Sequence, residues 1–160
     1  TLNKTSLFAK GSYDNYLVYR QYGTLIYQGE ISHPYDVSYA FSSTFGYRRH
    51  PLTSVKDLHT GLDIPQVENT PINAVMDGVV TKVGYDEDGY GNYVVISNGD
   101  VETLYGHCNS ILVTKGQPVS IGDKIALTGS TGASTGSHLH LEYKKNGKYL
   151  NPEYYLPVLN

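Results

Sequence analysis

TGSHLHLEY, from Thr135 to Tyr143, alternates polar and apolar side chains at the two-residue period of a β-strand. That period puts His138, His140 and Glu142 on one face and Leu139, Leu141 and Tyr143 on the other. The apolar face can anchor in a core while two imidazoles point together into a cleft, and such a rigid support is where a metal ligand is best held. The preceding run GSTGASTGS, Gly129 to Ser137, is too rich in glycine and small polar residues for a strand and reads as a loop that delivers the chain to it. A His-x-His pair alone describes two surface histidines equally well, so the reading depends on further ligands elsewhere.

The segment LHTGLDIP, Leu58 to Pro65, supplies them. His59 and Asp63 are four residues apart, but Gly61 between them and Pro65 just after oppose a helix. In an extended chain His59, Gly61 and Asp63 share one face and Thr60, Leu62 and Ile64 the other, with the glycine leaving room for an ion or a close backbone. Two histidines and a carboxylate from these segments make the N, N, O donor set of a catalytic zinc whose fourth position is left to water. Spacing does not decide between His138 and His140 as the third donor. A further histidine, His107, lies in TLYGHC, Thr103 to Cys108. Val94-Val95-Ile96 and VETLY, Val101 to Tyr105, read as two strands joined by SNGD, where Asn98-Gly99 signals a hairpin, so His107 leaves the end of the second strand.

The succession of HTGLD (His59 to Asp63), YGH (Tyr105 to His107) and STGSHLHLE (Ser134 to Glu142) resembles the M23 family of zinc metallopeptidases, the lysostaphin and LytM-type peptidoglycan endopeptidases. The resemblance runs from Phe41 to Pro152 and includes FGYRRHP from Phe45, PINAVMDGVV from Pro71, GYGNYVVI from Gly89 and VSIGDKIALTGSTG from Val119. It implies an all-β fold of mostly antiparallel sheets with a substrate groove, in which PINAVMDGVV forms a hairpin. It also implies one zinc per chain, held by His59, Asp63 and His140, with His107 and His138 as catalytic groups beside the open position. One of these two would take a proton from water and the other donate to the oxyanion; which does which stays open. Glu142 is expected to orient His140 or a neighbouring loop through a hydrogen bond and not to act as base, since the helical HExxH pair of other zinc peptidases is absent. Asn92 and Tyr93, at a strand start, and Arg48 are candidate substrate contacts; Arg48 and Arg49 point to opposite sides of an extended chain, so one of them at most faces the groove. Cys108, Ser137 and Ser97 depart from residues common in the family without removing a ligand or active-site histidine.

The remaining sequence narrows the functional classes. With 160 residues there is enough chain for one core, and 16 Tyr and 17 Gly with no Trp suit short strands and many turns. A formal charge of −3 without a Lys/Arg block argues against nucleic acid, and no apolar run is long enough to span a membrane. The single cysteine, Cys108, excludes an internal disulfide and reads as a buried inert thiol. His33 reads as a loop histidine, His50 as lying outside the zinc ligands, and Asp86, Glu87 and Asp88 as a solvated turn, since they lack the spacing of a calcium loop. Residues 1–33 read as an N-terminal extension or linker with short strands, YLVYRQY and TLIYQ, and residues 34–157 as the peptidase domain, both part of a longer chain. The expected partner is bacterial peptidoglycan. The expected location is the extracellular or cell-wall side, whether free, on a virion or in a secretion apparatus. An active endopeptidase leads; a silent wall-binding module is disfavoured by the intact ligand set, and a zinc amidase is the third class.

Overall fold

Stretches rich in Val, Ile, Thr and Tyr alternate with Gly, Asn and Asp along the chain, and they become strands in the computed structural model, which describes residues 31–49 and 56–156. The strands are β1 (Gly46–Arg49), β2 (Lys56–His59), β3 (Leu62–Pro65), β4 (Pro71–Asn73), β5 (Gly78–Asp86) and β6 (Gly91–Asn98). They continue as β7 (Val101–Cys108), β8 (Ser110–Ile111), β9 (Pro118–Val119), β10 (Lys124–Leu127), β11 (His138–Lys145) and β12 (Lys148–Leu150). A 3₁₀ turn, Pro152–Tyr154, is capped by the Asn151 side chain, which accepts from Glu153 N. Among the described residues no helix is long and apolar enough to cross a membrane. YLVYRQY, TLIYQ and His50 lie outside the described residues.

The expected antiparallel β architecture is present. A seven-stranded sheet runs β12-β11-β7-β6-β5-β9, with β3 also paired to β11; β4-β10-β8 form a second sheet and β1-β2 a two-stranded ribbon. Two tight turns follow from local chemistry. Asn146 and Gly147, with φ of 51° and 76°, join β11 to β12 in the doubly left-handed conformation that Asn-Gly favours. Between β6 and β7 the turn falls one residue later than Asn98-Gly99: Asn98 pairs with Val101, and Gly99, with φ of 60°, takes the first turn position.

Pro71 to Val80 does not form a hairpin. β4 pairs with β10 in the smaller sheet and β5 with β6 and β9 in the larger one. Ala74, Val75 and Met76 between them are fully buried. The reason is legible in their chemistry, because a continuous apolar run crosses a core whereas a half-buried hairpin needs alternation. The Tyr105 hydroxyl accepts the Val75 N–H at 3.0 Å, satisfying this buried crossing.

β11 positions the site. Leu139, Leu141 and Tyr143 on one face pack with Leu62, Ile64 and Tyr105 in the core, all at most 1% exposed. On its other face β11 carries His138, His140 and Glu142. β7 runs along one edge, while β3 and then β12 occupy the other. The register sets His140 opposite both Asp63 of β3 and Gly106 of β7. A one-residue slip would turn all three polar groups into the core, so burial of the leucines fixes the geometry of the histidines.

Candidate metal centre

His59 ends β2 and Asp63 lies in β3, on either side of a bend at Gly61, and β11 runs directly beside that bend. A Cβ on Gly61 would lie 2.5 Å from the Leu141 carbonyl oxygen and 2.9 Å from His140 Cε1. Only glycine lets the two segments approach this closely. His59 Nε2 is 3.2 Å from Asp63 Oδ2, and His140 Nδ1 is 2.9 Å from Asp63 Oδ1. One ligand atom from each of His59, Asp63 and His140 lies within 4.8 Å of the others, a cluster able to hold a metal ion.

The outer hydrogen bonds determine which nitrogen faces inward. His59 Nδ1–H donates to the Thr44 carbonyl at 2.9 Å, which leaves the Nε2 lone pair toward Asp63. His140 Nε2 lies 2.9 Å from Glu142 Oε2, so Nδ1 is the nitrogen presented to the cluster. Burial lowers the His140 pKa, but the bonds to Asp63 and Glu142 outweigh it and raise it to about 9. Burial likewise raises Asp63 and Glu142, and the hydrogen bonds they receive from the histidines outweigh it, holding both carboxyls below the usual range.

His107 and His138 stand over the cluster with ring centroids 4.7 Å apart. His107 Nδ1–H donates to Thr131 O at 2.7 Å and His138 Nδ1–H to Gly136 O at 2.8 Å, so each keeps Nε2 for the cleft. His138 Nε2 is 3.7 Å from Asp63 Oδ1. Burial lowers the His107 pKa and outweighs the bond to Thr131 O, which raises it; the neighbouring imidazoles lower it further. His107 sits at φ 62°, a conformation sparsely used by residues other than glycine, and its N–H donates to Tyr90 O at 2.6 Å.

The candidate substrate residues fall in different settings. Asn92 donates its side-chain amide to the Cys108 and Asn109 carbonyls at 3.1 and 3.4 Å, bracing the end of β7. Tyr93 packs against Tyr90 with centroids 5.5 Å apart and has Lys82 over its ring. Arg48 lies in β1, whose Gly46 pairs with His59 of β2. Cys108 is fully buried, and burial pushes its thiol up to about 12. His33 is in a loop, half-buried and hydrogen-bonded to Tyr39, and Asp86, Glu87 and Asp88 are exposed at the β5–β6 turn. Thr60 departs from the expected alternation. The bend at Gly61 turns it to the site side, where its hydroxyl donates to Glu142 Oε2 at 2.6 Å. A glutamate on a strand face destined for burial is the sequence feature that calls for such donors.

The family model for peptidase family M23 matches residues 57–152. The chain belongs to peptidase family M23. Among M23 relatives it is 46% identical over 112 residues to the DD-carboxypeptidase/endopeptidase Mpg of Neisseria meningitidis, an alignment covering 69% of this chain and 26% of that protein. A zinc containing peptidase from Vibrio cholerae superposes with a TM-score of 0.74 at 37% identity, covering 78% of this chain and 39% of that one. The catalytic domain of the prophage-encoded M23 protein EnpA from Enterococcus faecalis gives a TM-score of 0.68 at 31% identity, over 78% of this chain and 97% of that domain. The chain spans from about a quarter to a third of the length of the curated M23 relatives it matches.

Proposed function

We propose that this chain is the catalytic part of a zinc-dependent endopeptidase that hydrolyses peptide bonds in bacterial peptidoglycan, acting on the extracellular or cell-wall side. The observation that carries the reading is the pair of Nδ1-anchored histidines, His107 and His138, standing over the His59–Asp63–His140 cluster. The donor set fits zinc: two imidazole nitrogens and one carboxylate are the three-ligand pattern of a catalytic site. When bound there, the ion supplies Lewis acidity that polarises the scissile carbonyl and makes a water acidic enough to react near neutral pH.

The chain's own residues do the rest. His59 presents Nε2 and His140 presents Nδ1, each orientation fixed by the bond made on the other nitrogen. Because burial lowers the pKa of His107, its Nε2 is free of a proton at neutral pH and is assigned to accept the proton of the attacking water. His138, whose Nε2 also faces the cleft, is assigned the complementary part, donating to the developing oxyanion when that nitrogen carries a proton. Asn92, Tyr93 and Arg48 are assigned to the peptide on either side. The names of Mpg and of the Vibrio cholerae DD-endopeptidases favour a bond between D-configured residues.

Mass analysis of fragments released from purified peptidoglycan tests the function. Zinc-loaded protein is expected to cut within the peptide moiety. Release of intact stem peptides from the glycan would identify an amidase, and no release from walls of several cross-bridge types would identify a silent module.

Zinc uptake is expected to be proton-linked. His140 carries a proton on Nδ1 below a pKa of about 9, and the ion must displace it, so affinity should rise by about one log unit per pH unit between pH 6 and 8. Chelator competition across that range measures the slope. A flat profile would show that no proton leaves His140 when zinc binds.

Replacing Cys108 by Ser or Ala is expected to leave most activity, because the thiol is buried, faces the core and is pushed up to about 12. Loss of all turnover in folded, zinc-loaded Cys108→Ser would show that the sulfur takes part in the chemistry.

A further inference from the structure

Glu142 is 1% exposed, and its two oxygens are treated very differently. Oε2 receives three donors: Thr60 Oγ1 at 2.6 Å, Tyr90 OH at 2.7 Å and His140 Nε2 at 2.9 Å. Oε1 is buried with no hydrogen-bond partner. Three donors on one oxygen fix the carboxylate's rotation and aim that oxygen at the imidazole, at the expense of the other oxygen.

The donors come from separate parts of the chain. Thr60 lies on the bend between His59 and Asp63. Tyr90 lies in the turn between β5 and β6, with its ring against that of His140 at a centroid distance of 5.7 Å. The same Tyr90 uses its main-chain oxygen to hold the His107 N–H at 2.6 Å. Burial, then the bond to Glu142, raises the phenol pKa, so its hydroxyl stays protonated and remains a donor. One carboxylate thus ties together the segments bearing His59, Asp63 and His140, and through Tyr90 the segment bearing His107.

We propose that Thr60 and Tyr90 are positioning residues that clamp Glu142, so that His140 is held with Nε2 as donor and Nδ1 facing the metal before any ion arrives. The proposal rests on the zinc reading given above. It explains why a buried acid tolerates a bare oxygen: the asymmetry serves the orientation of His140 and not the packing of the sheet. Removing a partner of this kind from a metal-bound histidine typically costs about 10–100-fold in metal affinity.

Tyr90→Phe keeps the ring and its main-chain bond to His107 and deletes only the hydroxyl; Thr60→Val keeps the shape and deletes the other donor. Each is expected to weaken zinc binding in chelator competition by a few-fold up to about tenfold, less than loss of Glu142 itself, with circular dichroism unchanged and with an altered visible spectrum for the cobalt(II)-loaded protein. Thr60→Ser restores the donor and is expected to restore affinity. Wild-type zinc affinity and an unchanged cobalt spectrum in both Tyr90→Phe and Thr60→Val would overturn the clamp. Wild-type protein that binds zinc but releases nothing from peptidoglycan would overturn the proposed function while leaving the clamp standing, and wild-type protein that retains no zinc would overturn both.

Discussion

His140→Ala is expected to lose its zinc and its activity together. The imidazole stands between Asp63 Oδ1 and Glu142 Oε2, 2.9 Å from each, and its removal takes away one ligand and leaves the buried Glu142 and half-buried Asp63 carboxylates facing a gap. Zinc held by four protein ligands is bound with roughly 10–16 kcal/mol of apparent free energy, on average about 2.5–4 kcal/mol for each. At about 1.4 kcal/mol per tenfold, affinity should fall on the order of 10²-fold to 10³-fold, at or beyond the upper end of the loss expected from an outer hydrogen bond. Metal content after dialysis and turnover, read on the same folded preparation, check this. Full zinc retention by His140→Ala would remove His140 from the ligand set.

His107→Ala is expected to behave in the opposite way, keeping zinc and losing the chemical step. His107 is anchored by Thr131 O and Tyr90 O and is paired with His138 above the cluster, whereas the histidines that reach the Asp63 carboxylate are His59, His138 and His140. Loss of a positioned proton acceptor costs on the order of 10²-fold or more in turnover. The substitution has a second effect, because His107 adopts φ 62°; alanine is no better suited to that conformation, and His107→Gly serves as the control for backbone strain. Zinc-loaded His107→Ala with nearly full turnover would exclude His107 from the chemistry, and loss of zinc as complete as that of His140→Ala would place it among the ligands.

The parts of this molecule that were legible in its sequence are those governed by short-range periodicity. Leu139, Leu141 and Tyr143 had to face the core together, and the same alternation forced His138, His140 and Glu142 onto the opposite face. Asn146-Gly147 announced its turn by conformational preference alone. Less legible were features that depend on which strands become neighbours. Ala74 to Met76 crosses between two sheets because a continuous apolar run can be buried on all sides, a distinction that a strand-length window blurs. Thr60 escaped its apparent face because the bend at Gly61 breaks the alternation, and the approach of Leu141 that demands this glycine belongs to a residue far along the chain. The choice between the two nitrogens of His59 and of His140 depends on Thr44, brought to His59 as β1 pairs with β2, and on Glu142, whose carboxylate is turned onto His140 Nε2 by Thr60 and Tyr90. Tyr90's double grip on Glu142 and His107 likewise needs the β5–β6 turn folded against β7 and β11.

The assignment of the metal is tested most directly by diffraction at the zinc absorption edge from crystals of zinc-loaded protein. The account predicts a single strong anomalous peak bonded to His59 Nε2, an Asp63 carboxylate oxygen and His140 Nδ1, with His107 and His138 facing it and unbonded. A peak bonded to His107 or His138 in place of His140, or no peak at this cluster in a folded, zinc-supplemented crystal, would contradict it.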